Sequence, residues 1–341
     1  MRPQRNTRRL FAIALGLLCS ALFIALSVRR IDLPALWGAL RTSTWWPWYV
    51  LAPLIYMTGH FVRGLRCRII LRPHCTISTW TASNVVIAGY AANYILPARM
   101  GELVRAYLLS RQAKISVTLS LAITLLERVL DGLVITGLLV IAASMTPLPP
   151  WGRELLWVAA AVFLSAAAGV GLVIAAKSQV LDLLEWVTRR LPARFGQRLM
   201  SIADRAIAAT DCLRDRTLIG PILLLSLVVW LVEGSMFLVI LPAFGLAANP
   251  LWAAMALTVT NLGILIPSSP GYIGPFHFFC MQALMMFGIT RETALGYAIM
   301  AHLLYYIPVT IWGISAMAAY GMRFGTAVHT VEVGTEVRPA A

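Results

Sequence analysis

Long apolar runs recur along the 341-residue chain, and two of them are interrupted by proline, glycine and polar residues. A hydrocarbon core about 30 Å thick is crossed by about 20 apolar residues in helical conformation. Six stretches reach that length without interruption: residues 10–28, 46–70, 117–144, 154–176, 218–244 and 293–321. Two more, residues 80–109 and 251–288, are broken. The first break reads Ile95-Leu96-Pro97-Ala98-Arg99-Met100-Gly101-Glu102, and the second Ile266-Pro267-Ser268-Ser269-Pro270-Gly271-Tyr272-Ile273-Gly274-Pro275. Proline removes a backbone donor and its ring collides with the preceding turn, so a helix runs through neither. Irregular backbone at membrane depth persists only where it is buried in protein or lines a wet cavity. The pattern predicts an all-α polytopic membrane protein with about six full spans and two broken, re-entrant helical hairpins. Reading each broken stretch as two full crossings remains open.

Hydrophobic residues fill 60% of positions and charged residues 12%, against about 25% charged in a soluble domain. Mean hydropathy is +0.79. The net charge of +14 matters less than its distribution. With both broken stretches re-entrant, the N-terminus, segments 63–79, 98–114 and 177–217, and the C-terminal tail share one side. They hold 22 of the 28 Lys and Arg. The other side holds Arg29, Arg30, Arg41, Arg153 and Arg291, while Arg128 falls within a span. Basic residues gather in cytoplasmic loops, so both termini are expected in the cytoplasm. No nucleic-acid fold signature accompanies the charge, and no nucleic-acid partner is expected.

Cys19, Cys67, Cys75, Cys212 and Cys280 are scattered and read as small apolar residues, without a metal or redox pairing. Arg2, Arg5, Arg8 and Arg9 precede the first apolar run in the manner of a signal peptide. That run is longer than a signal's apolar region and lacks a small-residue cleavage site, so an uncleaved first helix is expected.

The expected organisation is a single integral membrane domain over residues 1–321, with halves of about 1–145 and 154–321, followed by a flexible cytoplasmic tail, 322–341. Each half runs span, span, hairpin, span, and the second gains a basic insert, 177–217. Its segment 178–216 alternates Leu181, Leu184, Trp186, Val187 and Leu191 with Arg189, Arg190, Arg194 and Arg198, as an amphipathic helix on the inner leaflet does. Trp45, Trp46, Trp48 and Tyr49 read as an interfacial belt. Interrupted segments at corresponding positions of two halves point to a transporter site at an inverted-repeat interface. Literal similarity between the halves is confined to Asn93-x3-Pro97 against Asn261-x5-Pro267.

The first break carries the charge. Gly101 permits a tight turn after Pro97, and Glu102 is placed to pair with Arg99 or Arg105. Arginine offers a planar fork suited to phosphate, so Arg99, Glu102, Arg105 and Asn93 are candidate headgroup contacts. The alternative is a plain cytoplasmic loop whose arginines follow the positive-inside rule. Glu127, Arg128 and Asp131 lie within an apolar run, with Glu127 and Asp131 four residues apart on one face and Arg128 three from Asp131. Ionisable groups in a membrane are costly, and they serve either a substrate or an ion-pair cluster fastening helices. Glu233 has no basic neighbour in its own helix; it is either a proton-coupling carboxylate or the buried partner of an arginine across helices, with Arg128 a candidate. Arg63, Arg66 and Arg68 end the second span and read as snorkelling residues, with Arg63 deep enough to line a cavity. The second break offers Asn261, Ser268, Ser269, His277 and backbone amides, shaped by Pro267, Pro270, Gly271 and Gly274. A half-helix starting near Gly274 would aim its positive end at the bilayer centre, favourable for an anion. His277 is either a titrating group or a hydrogen-bonded structural one.

The run Asn93–Arg105, followed by Glu127-Arg128 and Asp131, resembles the lysylphosphatidylglycerol synthase transmembrane-region family of flippase-like domains. So does Pro267-Ser268-Ser269-Pro270-Gly271-Tyr272-Ile273-Gly274. The resemblance covers nearly the whole chain. It implies a multi-pass protein of the bacterial inner membrane related to the lipid-translocating half of multiple-peptide-resistance proteins. Those synthases carry a soluble aminoacyl-transferase domain after the membrane part; this chain ends about twenty residues past its last span, so lysyl transfer is not expected. Where the family tends to have a glutamate after the second glycine-rich turn, this chain has His277.

Walker, HExxH and GxSxG motifs are absent, and no cofactor or metal is expected. The leading expectation is a lipid translocase rather than an enzyme, moving an anionic or phosphate-bearing amphipathic lipid between leaflets. The alternatives are a membrane-embedded transferase, with Glu102 or Glu127 as base, and an accessory or scaffold subunit whose partners are lipid- or envelope-building enzymes.

Overall fold

The computed structural model describes residues 3–96 and 99–322. Pro97 and the tail beyond 322 lie outside the described residues. Every described regular element is helical. In chain order these are α1 (Pro3–Val28), α2 (Leu33–Thr42), α3 (Trp48–Leu71), α4 (Thr79–Ile95), α5 (Gly101–Ala113), α6 (Val117–Met145) and α7 (Pro150–Ala175). They continue with α8 (Lys177–Thr188), α9 (Ala193–Ala208), α10 (Arg216–Ile240), α11 (Pro250–Gly263), α12 (Pro275–Met285) and α13 (Arg291–Ala319).

Side chains set the starts of these helices. Ser78, Ser116 and Thr290 accept the backbone N–H three residues on, heading α4, α6 and α13. Asp215 caps α10, and the Thr217 hydroxyl, followed by the Thr217 N–H, donates to its carboxyl and holds it below the ordinary range. Lys114 adopts a left-handed conformation that ends α5.

Among the described residues three helices are long and apolar enough to cross a membrane: α7, α10 with its 3₁₀ extension to Phe244, and α13. The described part of α1 adds a fourth if it is joined to α2, to which it is bent by 88°. This is fewer than the six complete spans expected. α3 and α6 have 24 and 29 residues but carry three charged side chains each, Arg63, Arg66 and Arg68 on one and Glu127, Arg128 and Asp131 on the other. Both broken stretches are two helices each, as their prolines and glycines predict. The segment expected as one amphipathic helix is the pair α8 and α9, parted at Leu191-Pro192. The ten-residue α2 has no counterpart among the expected elements.

Packing pairs the two halves element by element. α3 lies along α10. The contacts α3–α4, α4–α5 and α5–α6 of the first half have counterparts in α10–α11, α11–α12 and α12–α13 of the second. Across the halves, α4 packs on α13 as α11 packs on α6, and α3 touches α13 as α10 touches α6. The correspondence extends outward, since α2 leans on α13 and α9 on α6. The first half therefore has its own insert, α2, where the second has α8 and α9. α1 and α7 depart from the pattern, because α1 rests on α12 while α7 rests on α6 and α11.

Candidate functional site

The first break is a tight junction between α4 and α5. Arg99 takes a positive φ of 54°. Asn93 Oδ1 accepts Gly101 N–H at 2.8 Å, and Asn93 Nδ2 donates to Glu102 Oε1 at 3.5 Å. The backbones of α4 and α5 nearly touch there. A Cβ on Gly101 would sit 2.1 Å from Gly89 O and 2.5 Å from Asn93 Oδ1, so only glycine fits.

The second break descends from α11 through Ile264–Ser269 to a 3₁₀ turn, Pro270–Tyr272, and restarts as α12. Two distant elements hold it. Ser20 of α1 donates to Ser269 Oγ and accepts Ser269 N–H, both at 2.8 Å. His302 of α13 donates from Nε2 to Gly271 O at 2.9 Å. His277 accepts Gly274 N–H through Nδ1 at 3.4 Å and lies edge-on to His302. Ser268 Oγ is buried without a hydrogen-bond partner, beside the close approach of Gly16 to Ser268 O.

The two breaks touch. Arg99 donates to Ile264 O, its guanidinium sits over the Tyr272 ring at 5.5 Å, and Tyr94 meets Tyr272 edge to face. Next to this junction lies a buried ionic network drawn from α3, α5, α6 and α10. Asp131 accepts from Arg63 at 3.1 Å, Arg66 at 2.6 Å and Trp230 Nε1 at 3.1 Å. Arg63 also donates to Glu233 at 2.7 Å, and Arg105 is paired with Glu127. Arg128 meets Glu102 at 3.1 Å and Asp131 at 3.7 Å, and donates to Tyr90 Oη at 3.0 Å.

These contacts revise several pairings. Glu102 binds Arg128 rather than Arg99 or Arg105. Glu233 finds a cross-helix partner, but it is Arg63 instead of Arg128. Arg66 does not snorkel, being 1% exposed and donating to Asp131 and Ser226. Arg68 does reach the surface, where it donates to Thr79 Oγ1 at 3.2 Å. The helical arrangement explains the differences: burial in low dielectric demands a charged partner at hydrogen-bond distance, and that partner comes from the facing helix.

Between the breaks and the network is a cavity of about 340 Å³. Its charged lining is Arg63, Arg99, Glu102, Arg128, Asp131 and Glu233, with Asn93 and Asn261 beside them. Tyr56, Tyr90, Tyr94, Tyr272, Tyr305 and Trp230 supply aromatic wall, and Leu125, Ile135, Phe163, Leu262, Ile264 and Leu265 form an apolar one. Arg105, Glu127, Ser268, Ser269 and His277 do not line it: the first two are spent on each other, and the last three support the second break. Sequence reading missed the aromatic lining. A local signal for it existed, since Trp230 stands three residues before Glu233 on one helix face.

The charge count has a residue. Arg63, Arg66, Arg99, Arg105 and Arg128 face Glu102, Glu127, Asp131 and Glu233. Every arginine but Arg99 has a carboxylate partner among the described residues, so the cavity keeps one cation bonded only to a carbonyl and an aromatic face. The faces of Tyr90, Trp230 and Tyr272 are taken by the protein's own guanidinium groups, those of Arg63, Arg99 and Arg128. Such a lining suits an anion better than a second cation. No group of three or more His, Cys, Asp or Glu able to hold a metal occurs among the described residues.

The sequence pattern of the lysylphosphatidylglycerol synthase TM region matches residues 13–313. The chain belongs to that family. The match runs through both breaks, the ionic network and α13, and leaves only the ends outside it. Among curated proteins the chain is similar to Glycosyltransferase AglD of Haloferax volcanii, 26% identical over 370 aligned positions that cover 99% of this chain. The chain spans 58% of the length of that relative. A membrane protein of the lysylphosphatidylglycerol synthase TM-region family is what these likenesses establish.

Proposed function

We propose that the protein translocates an amphipathic lipid with a phosphate-bearing headgroup between the leaflets of the cell's inner membrane. One observation carries the reading: the cavity lies where the two broken stretches meet, and its lining holds a cation, Arg99, with no carboxylate partner. An anionic headgroup supplies the missing charge, and arginine–phosphate bonding is strong and directional. Interrupted helices meeting at a repeat interface are the expected setting for such a site. The matched packing of α3–α6 and α10–α13 supports an inverted repeat, with the breaks entering from opposite faces. In this reading α1, α3, α6, α7, α10 and α13 span the membrane, and both termini are cytoplasmic. The ionic network then holds α3, α5, α6 and α10 together around the headgroup, while Arg99 binds it.

The test is reconstitution of the full chain in liposomes with a panel of fluorescent lipids, following protein-dependent leaflet exchange. Arg99→Gln removes a charge-assisted bond and is expected to slow exchange about tenfold or more, with folding unchanged. Exchange at the normal rate in that variant would sink the site assignment. A second reading has specific support in the likeness to the Haloferax glycosyltransferase. On that reading the chain is a membrane-embedded transferase or an accessory subunit acting on a lipid-linked substrate. New lipid products on thin-layer chromatography without leaflet exchange would favour it.

A further inference from the structure

The matched packing of the halves makes one difference between them informative. The α4–α13 contact and its counterpart, α11–α6, border the same central space. The first is sealed: a Cβ on Gly313 would lie 2.3 Å from Ala91 Cβ and 2.7 Å from Ile87 O, so the helices meet backbone to backbone. The second is not. Leu125 of α6 and Leu265, just past α11, are the two exposed side chains of the cavity lining, with 54% and 44% of their surfaces accessible. Exposed side chains on the wall of a cavity mark its mouth.

What stands at that opening is Phe163 of α7. Its ring lies directly on Gly132 of α6, where a Cβ would come within 2.0 Å of it, and it forms part of the cavity wall. α7 itself is loosely held, with only 6% of its apolar window buried in the protein. The charged and amide residues of the cavity come from α3, α4, α5, α6, α10, α11 and the first break. Arg128 and Asp131 of α6 and Asn261 of α11 are among them, while the other lining side chains along the seam, Leu125, Ile135, Leu262, Ile264 and Leu265, are apolar. We infer that the α6–α11 seam, floored by Leu125 and Leu265 and covered by Phe163, is the binding site for one hydrocarbon chain of the lipid whose headgroup sits at Arg99. The inference rests on the proposed headgroup site and adds where the rest of the molecule goes. Apolar chains are disfavoured in water, and the seam lets the chain stay in lipid while the headgroup enters the polar cavity.

Photocrosslinking separates a seated chain from surrounding lipid. The probe is phosphatidylglycerol with a diazirine on one acyl chain, incorporated into liposomes with the full-length protein. Labelling is read by mass spectrometry at Leu125, Phe163 and Leu265, and at Leu164, which is 60% exposed on the outer face of α7 and serves as the control. Seam labelling should fall about tenfold in Arg99→Gln, the loss expected for one charge-assisted bond, while labelling at Leu164 stays constant. Seam labelling that is absent, or that is the same in both proteins, overturns the inference. A second variant alters the seam while leaving Arg99 in place. Leu265→Trp should narrow it and slow leaflet exchange, and Leu164→Trp should not; equal exchange in both sinks the seam. Failure of exchange in the unaltered protein would count against translocation alone, because the crosslinking arm reads chain binding without it.

Discussion

The two interruptions solve one problem with different materials. Both must keep a non-helical backbone inside an apolar protein, where unsatisfied polar groups are expensive. The first is held from nearby: Asn93 and Gly101 belong to it, and Glu102 ties it to Arg128 across one short connection. The second is held from afar, by Ser20 from the start of the chain, by His302 from its last long helix and by the Arg99 guanidinium on Ile264 O. Charge is thus concentrated at the first interruption. The second is built mainly on hydroxyl, imidazole and carbonyl contacts. The difference teaches that matched topology leaves the chemistry of the two sides free to diverge.

Asp131→Asn is the strongest way to break this division. It removes the charge that Arg63, Arg66 and Arg128 share, leaving the network's four arginines facing three carboxylates. Breaking a buried ion pair costs about 3–5 kcal/mol, and thermal unfolding in detergent should show that loss with the first interruption and α3 affected together. A change within error would mean the network is solvated rather than buried. Gly101→Ala comes next. Its methyl collides with Gly89 O and with Asn93, so α4 and α5 must part; the expected cost is about 2 kcal/mol, in the range for overpacking. Wild-type stability in this variant would show that the junction is looser than the backbone contact implies. Ser20→Ala is the mildest. It leaves Ser269 N–H and Oγ without their partner in α1 and should cost about 1–2 kcal/mol. Hydrogen exchange should rise at 266–274 and remain unchanged at 99–105. Equal changes at both sites would erase the distinction drawn here.

Long apolar runs announced their helices, because the length needed to bury a backbone is a property of the run itself. The breaks were equally legible through Pro267, Gly101 and their neighbours. Contacts between helices were legible only when local. Arg128 and Asp131, three apart, were readable as a pair, whereas Arg63 and Glu233 are 170 residues apart and no spacing rule joins them. Arg66 illustrates the cost of that blindness: an arginine at the end of an apolar run looks like a snorkelling residue until the facing Asp131 is seen. α2 escaped because ten residues fall below the length of a span. Its Asp32 cap and the proline after Leu33 were nevertheless start signals.

The bond between Ser20 and Ser269 joins positions 249 residues apart. A ribosome adding about 5–20 residues per second needs on the order of 10–50 s to travel between them. During that interval the amino-terminal helix has been made and its berth has not. Gly16 and Ser20 then face whatever the insertion machinery or neighbouring lipid offers, and the berth is completed only when the last third of the polypeptide arrives. An arrested chain would therefore differ from a finished one at its very first helix, which is where a membrane quality-control protease could tell the two apart.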